Sequence, residues 1–134
     1  MSTSTKILTV TSDQVLMNFL RQGLSDGDYE VVNTEHTGIQ LKDVIETEEP
    51  EFIILDIGMP DLDGIGICLQ LRQWTQLPIL MVTTWGTSEG TVRGLNLGSD
   101  DYLTEPFGAD MLKKRMETTL KRNMAFAGNP APEK

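Results

Sequence analysis

Apolar and polar positions along the chain follow two alternating rhythms. Short β-like runs occur at Lys6–Val10 (KILTV), Tyr29–Glu35 (YEVVNTE), Phe52–Asp56 (FIILD), Pro78–Thr83 (PILMVT) and 101–103 (DYL). Helical spacing fills the intervals between them. In SDQVLMNFLRQGL, Leu16, Phe19 and Leu20 share one face, and Ser12 is a suitable N-cap. In GIQLKDVIETEE, Leu41, Val44 and Ile45 share a face, and Pro50 closes the segment. GIGICLQLRQW carries a stripe through Cys68, Leu71 and Trp74. SEGTVRGLNLG is a weak fourth helical pattern with three glycines. ADMLKKRMETTLKRN is a basic fifth, with Leu112, Met116, Thr119 and Leu120 facing inward.

Strands that alternate with helices make a parallel sheet covered on both faces. Runs apolar at every position suit strands buried on both sides. Right-handed crossovers then give a three-layer, doubly wound α/β domain. The expected domain is 1–124, and AFAGNPAPEK (125–134) reads as a linker or disordered tail.

Composition narrows the function. The 134 residues suffice for one domain with a core, and 39% are apolar. No apolar run approaches the length of a membrane span, and the MSTSTK start lacks a secretory pattern. A single cysteine, Cys68, allows no internal disulfide and suits a cytoplasmic location. The formal charge of −9 argues against nucleic-acid binding by this domain, because phosphates need a cationic face. His36 has no ligand-spaced Cys or His and reads as a surface residue, whereas Cys68 reads as core. The DLDG stretch fails as a calcium loop, because Met59 and Gln70 occupy its first and last ligand positions. Gly64 and Gly66 lack the rest of a dinucleotide fingerprint. One histidine gives no credible Ser–His–Asp set.

In open α/β sheets, ligands sit beyond the carboxyl ends of the strands. The residues there are Thr11, Ser12 and Asp13, then Asp56, then Thr83 and Thr84, then Glu105. The stretch EFIILDIGMPDLDG poses the sharpest question, because a buried-looking strand ends on the carboxylate of Asp56.

That stretch resembles the response-regulator receiver domain of two-component signalling. Asp56 is followed by Met59-Pro60 and Asp63-Gly64 at the family's spacing, and PILMVTT and GLNLGSDDYLTEPF are similar to its later segments. The resemblance runs from Lys6 to about Arg122. It implies a flavodoxin-like (βα)5 fold with strand order 2-1-3-4-5. It makes Asp56 the phosphoacceptor position for a histidine kinase, Gly58 the residue whose carbonyl faces the metal, and Thr83 with Tyr102 the switch pair.

The sequence departs from the family where the chemistry is most demanding. Two acids that hold Mg²⁺ are replaced by Thr11 and Ser12, and Asp13 matches only the next position. The lysine that neutralises the phosphoryl group is replaced by Glu105. Two carboxylates about 4 Å apart repel by roughly 4 kcal/mol at an effective dielectric near 20. The resemblance with these departures implies a pseudo-receiver: no enzyme, no cofactor, and weak or absent Mg²⁺ binding. A phosphorylation-competent receiver with a cation site rearranged around Asp13, Asp56 and Glu105 is the alternative, and a small-ligand sensor using the same pocket is a third. Thr11 and Ser12 also have a plain structural role as helix caps.

The fourth helical segment, fifth strand and fifth helical segment resemble the dimer face of the winged-helix transcription-factor branch. Asp100, Asp101, Arg115 and Arg122 match its paired charges, whereas Thr91 and Met111 replace a third pair. The expected partners are therefore a second copy of the chain and a histidine kinase or other signalling protein, with no membrane and no nucleic acid bound by this domain. The expected role is the N-terminal regulatory module of a DNA-binding transcription regulator.

Overall fold

The computed structural model describes residues 5–24, 29–56, 64–83, 101–104 and 108–128, and within these it leaves the side chains of 64, 65, 83, 102, 104 and 122–128 undescribed. The chain runs β1 (Thr5–Val10), α1 (Gln14–Gly23), β2 (Tyr29–Thr34), α2 (Gly38–Glu48), β3 (Phe52–Asp56), α3 (Gly64–Trp74), β4 (Ile79–Thr83) and β5 (Asp101–Thr104). A long helix, Ala109–Gly128, follows. The strands form one sheet in the order β2-β1-β3-β4-β5, and every pairing is parallel. This is the doubly wound α/β architecture expected from the alternation of strand and helix, with the flavodoxin-like strand order that the family resemblance implies. The helix expected within 88–98 lies outside the described residues.

Strand periodicity divides the core in two. Leu8, Val10, Ile53, Leu55, Ile79 and Met81 point to one face, where Leu41 and Ile45 of α2 and Cys68 and Leu71 of α3 cover them. Ile7, Phe52, Ile54, Leu80, Val82 and Leu103 point to the other, under Leu16 and Leu20 of α1 and Leu112 and Met116 of the long helix. All five residues of β3 are buried, as a central parallel strand requires. Cys68 is in this core and His36 is exposed, as the sequence suggests.

Local chemistry sets the ends of the helices. Asp13, not Ser12, is the N-cap of α1: its side chain accepts from the backbone N–H groups of Val15 and Leu16. The reason is the path of the preceding strand. The Thr11 N–H still bonds to Thr34 O at 3.1 Å, so the helix starts later than the first hydroxyls allow. Gly38 opens α2 at φ +62°, a conformation that favours glycine. Glu49 ends α2 in the left-handed region, and Pro50 prevents its continuation. The Lys6 ammonium donates to Glu48 O at 3.0 Å and to Glu48 Oε1 at 3.2 Å, placing a cation at the negative end of α2.

The inward face of the long helix matches the expected one, with Thr119 fully buried beside Leu112 and Met116. Its hydroxyl donates to Arg115 O one turn back at 2.8 Å, which makes a buried threonine tolerable there. A Cβ on Gly23 would meet Ala109 Cβ at 3.3 Å, so small residues set the approach of α1 to this helix. The helix runs to Gly128, four residues into the segment expected to be a tail. Ala125 and Ala127 favour helix, and a terminal glycine is a common stop.

Candidate functional site

The carboxyl edge of the sheet brings Thr11 to Asp56. In the register of β1 and β3, Val10 lies opposite Leu55, so the next step along each strand sets Thr11 beside Asp56. Both residues follow the parity of Ile7 and Ile54 and so face the α1 side. Asp56 is 2% exposed and Thr11 1%. The Thr11 hydroxyl donates to Asp56 Oδ2 at 2.6 Å, a short hydrogen bond of the kind a charged acceptor makes. Burial of a carboxylate requires such compensation. Across β3, Asp56 is in register with Val82 of β4.

Thr11 is itself held on every side. Its hydroxyl oxygen accepts from the Asp13 N–H at 3.0 Å while its proton goes to Asp56. Its carbonyl accepts from Asn33 Nδ2 at 3.3 Å. Asn33 Oδ1 in turn accepts from the Thr9 hydroxyl at 2.6 Å. Thr11 is thus a bonding partner of the site carboxylate, and the expectation that Thr11 and Ser12 act as helix caps is corrected. Ser12 is exposed. Asp13, the adjacent acid, directs Oδ1 at two backbone donors of α1.

The remaining predicted residues divide between the described structure and its gaps. Gly58, Thr84, Asp100 and Glu105 lie outside the described residues. Thr83 ends β4 and pairs with Thr104, and Tyr102 pairs with Met81, so the switch pair occupies neighbouring strands; their side chains are not described. The Arg122 side chain is likewise outside the description. Asp101 and Arg115 are brought together within one chain, with Arg115 Nη1 2.8 Å from Asp101 Oδ1. Met111 stands half-exposed on the same long helix.

Among the described residues, no group of three His, Cys, Asp or Glu side chains is arranged to hold a metal. The described donors fit Mg²⁺ poorly. The ion wants near-octahedral oxygens and carboxylate charge. Here one carboxylate accepts a hydrogen bond from a hydroxyl, and the other caps a helix.

Thr9 and Asn33 belong to the site although neither matches a motif in the sequence. The signal for Asn33 was an amide inside YEVVNT, a residue depleted in strands, whereas a threonine such as Thr9 is common there and gave none.

Comparison with known proteins agrees with this geometry. Residues 7–117 match the family described as the response regulator receiver domain. The chain is 39% identical over 120 residues to response regulator MprA of Mycobacterium bovis, covering 89% of this chain and 52% of that protein. It therefore spans about half the length of the curated relatives it matches. A two-component response regulator from Clostridium difficile superposes with a TM-score of 0.79 at 26% identity, covering 89% of this chain and 98% of the other. The BeF3-activated N-terminal receiver domain of Klebsiella pneumoniae RstA gives 0.77 at 29% identity, over 86% and 97% of the two chains. Among the described residues, no helix is long and apolar enough to cross a membrane. Fold, strand-end carboxylate and relatives agree: this chain belongs to the response-regulator receiver-domain family, a signalling family rather than a family of enzymes.

Proposed function

We propose that the chain is an atypical receiver, the regulatory module of a winged-helix transcription regulator, and that it works largely without phosphorylation. The observation that carries this reading is the Thr11–Asp56 hydrogen bond. An attacking aspartate must offer its oxygen to a phosphoryl group, with positive charge nearby to hold the transition state. Here one oxygen is bound by a hydroxyl, which supplies a dipole but no net charge. In the sequence, Glu105 replaces the family's lysine. A transferred phosphate would add up to about two negative charges to this setting. The domain therefore signals through the surface it presents, to a second copy or another protein. A histidine kinase is the partner that family membership suggests.

The test is the intact mass of the chain after incubation with Mg²⁺ and a small phosphodonor, beside an Asp56→Asn control. An unmodified mass is the expected outcome. A phosphate-sized increase that disappears in the control would establish the other reading, a working phosphoacceptor.

Dimerisation through β5 and the long helix is the form of signalling the surface favours. The Asp101–Arg115 pair and half-exposed Met111 lie there. A two-fold interface needs complementary charge on one surface, which such pairs supply. The pair is part-buried at the surface, with the Arg115 side chain 39% exposed and Asp101 17%, so reversal should act mainly on association. Arg115→Glu is expected to shift the sedimentation profile toward monomer without unfolding the chain. An unchanged profile would remove this face from consideration.

A further inference from the structure

The structure assigns Asn33, on the edge strand β2, as the positioning residue that holds Thr11 over Asp56. This rests on the reading of the Thr11–Asp56 bond above and names what keeps that bond in place. Thr11 lies just past the end of β1, where the strand no longer dictates the backbone. Two contacts from β2 replace that constraint: Thr34 O takes the Thr11 N–H at 3.1 Å, and Asn33 Nδ2 donates to the Thr11 carbonyl at 3.3 Å.

The orientation of the Asn33 amide follows from chemistry. A backbone carbonyl can only accept, so the Nδ2 end must face Thr11. The Oδ1 end then faces Thr9, whose hydroxyl must donate to it, and it does so at 2.6 Å. Thr9 is fully buried and sits opposite Asn33 in the strand register, so the amide is clamped from inside the sheet. With backbone and carbonyl pinned, the Thr11 hydroxyl accepts from the Asp13 N–H and has one direction left for its proton, toward Asp56. A polar chain thus runs from Thr9 through Asn33 and Thr11 to the carboxylate. Its steps span 24 positions from Thr9 to Asn33, 22 from Asn33 to Thr11 and 45 from Thr11 to Asp56, so only the sheet assembles it.

Two mild variants test this in the unphosphorylated 134-residue chain without Mg²⁺. Asn33→Asp keeps the acceptor for Thr9 and replaces the donor with an oxygen facing the Thr11 carbonyl. Thr9→Val keeps shape and removes the clamp on the amide. The readout is residue-resolved amide hydrogen exchange by NMR. Loss of one such bond corresponds to about five- to tenfold. Both variants should speed exchange at Asp13, whose N–H reports on the Thr11 hydroxyl, by about that factor, while the amides of Leu8 and Ile54 keep their protection. Unchanged exchange at Asp13 in both folded variants would overturn the assignment. Uniform acceleration across β1, β2 and β3 would overturn it too, because Asn33 would then be a general tie of the sheet. Phosphate uptake at Asp56 in the mass experiment would end the phosphorylation-independent reading and leave this exchange pattern standing.

Discussion

Phe52→Ala is expected to lower the unfolding free energy by about 3–5 kcal/mol, the range for emptying a large aromatic site in a packed core. Phe52 is fully buried and opens β3, the central strand of the sheet. It packs in the cluster shared by α1 and the long helix, with Leu16, Leu20 and Leu112. Apolar contact is the main attachment of those helices to the sheet on this face, with the Asp101–Arg115 pair beside it, so a cavity there weakens both attachments. A domain of this size holds only about 5–15 kcal/mol in total, so the variant should stand near the limit of folding. Urea titration with an unchanged slope would measure the loss directly. A loss below about 1 kcal/mol would mean that the two helices close over the vacated space. Leu71→Ala, in the cluster on the opposite face, should add to it within about 0.5 kcal/mol, because the sheet separates the two sites.

The second large effect concerns the site. Thr11→Asp restores one acid of the family's metal site beside Asp56. In the presence of a chelator, the new carboxylate replaces a hydrogen-bond donor with a like charge. At about 4 Å and an effective dielectric near 20 the repulsion is roughly 4 kcal/mol, so a destabilisation of about 2–4 kcal/mol is expected. Millimolar Mg²⁺ should return at least half of that, because an ion bound only by the folded state stabilises it by mass action. The unsubstituted chain should show no such response. Thr11→Val separates the two causes: it loses the bond to Asp56 at about 1–3 kcal/mol and gains nothing from Mg²⁺. Equal stabilisation of the unsubstituted chain by Mg²⁺ would show that its own donors already hold the ion, and the electrostatic basis of the proposed function would fall.

The sequence by itself determined the architecture and the place of the carboxylate. Five β-like runs between helical stripes specify a covered parallel sheet, because both signals depend on residues a few positions apart. The inward positions of the long helix, Leu112, Met116 and Thr119, were legible for the same reason. Asp56 at the end of β3 followed from an apolar run that stops on an acid. What Asp56 touches was not legible. Thr11 is 45 residues away, and only the register of β1 against β3 sets its hydroxyl on Oδ2. The choice of Asp13 over Ser12 as the cap of α1 also came from the sheet. Both side chains can cap, but the bond from Thr11 N–H to Thr34 O keeps the chain extended past the end of β1 and delays the helix. Asn33 became a site residue only when β2 was laid beside β1, with Thr9 opposite and the Thr11 carbonyl within reach. Periodic patterns are local and survive in one dimension. Hydrogen bonds between strand ends depend on register, which takes effect only when strands distant in sequence are packed side by side in the tertiary structure.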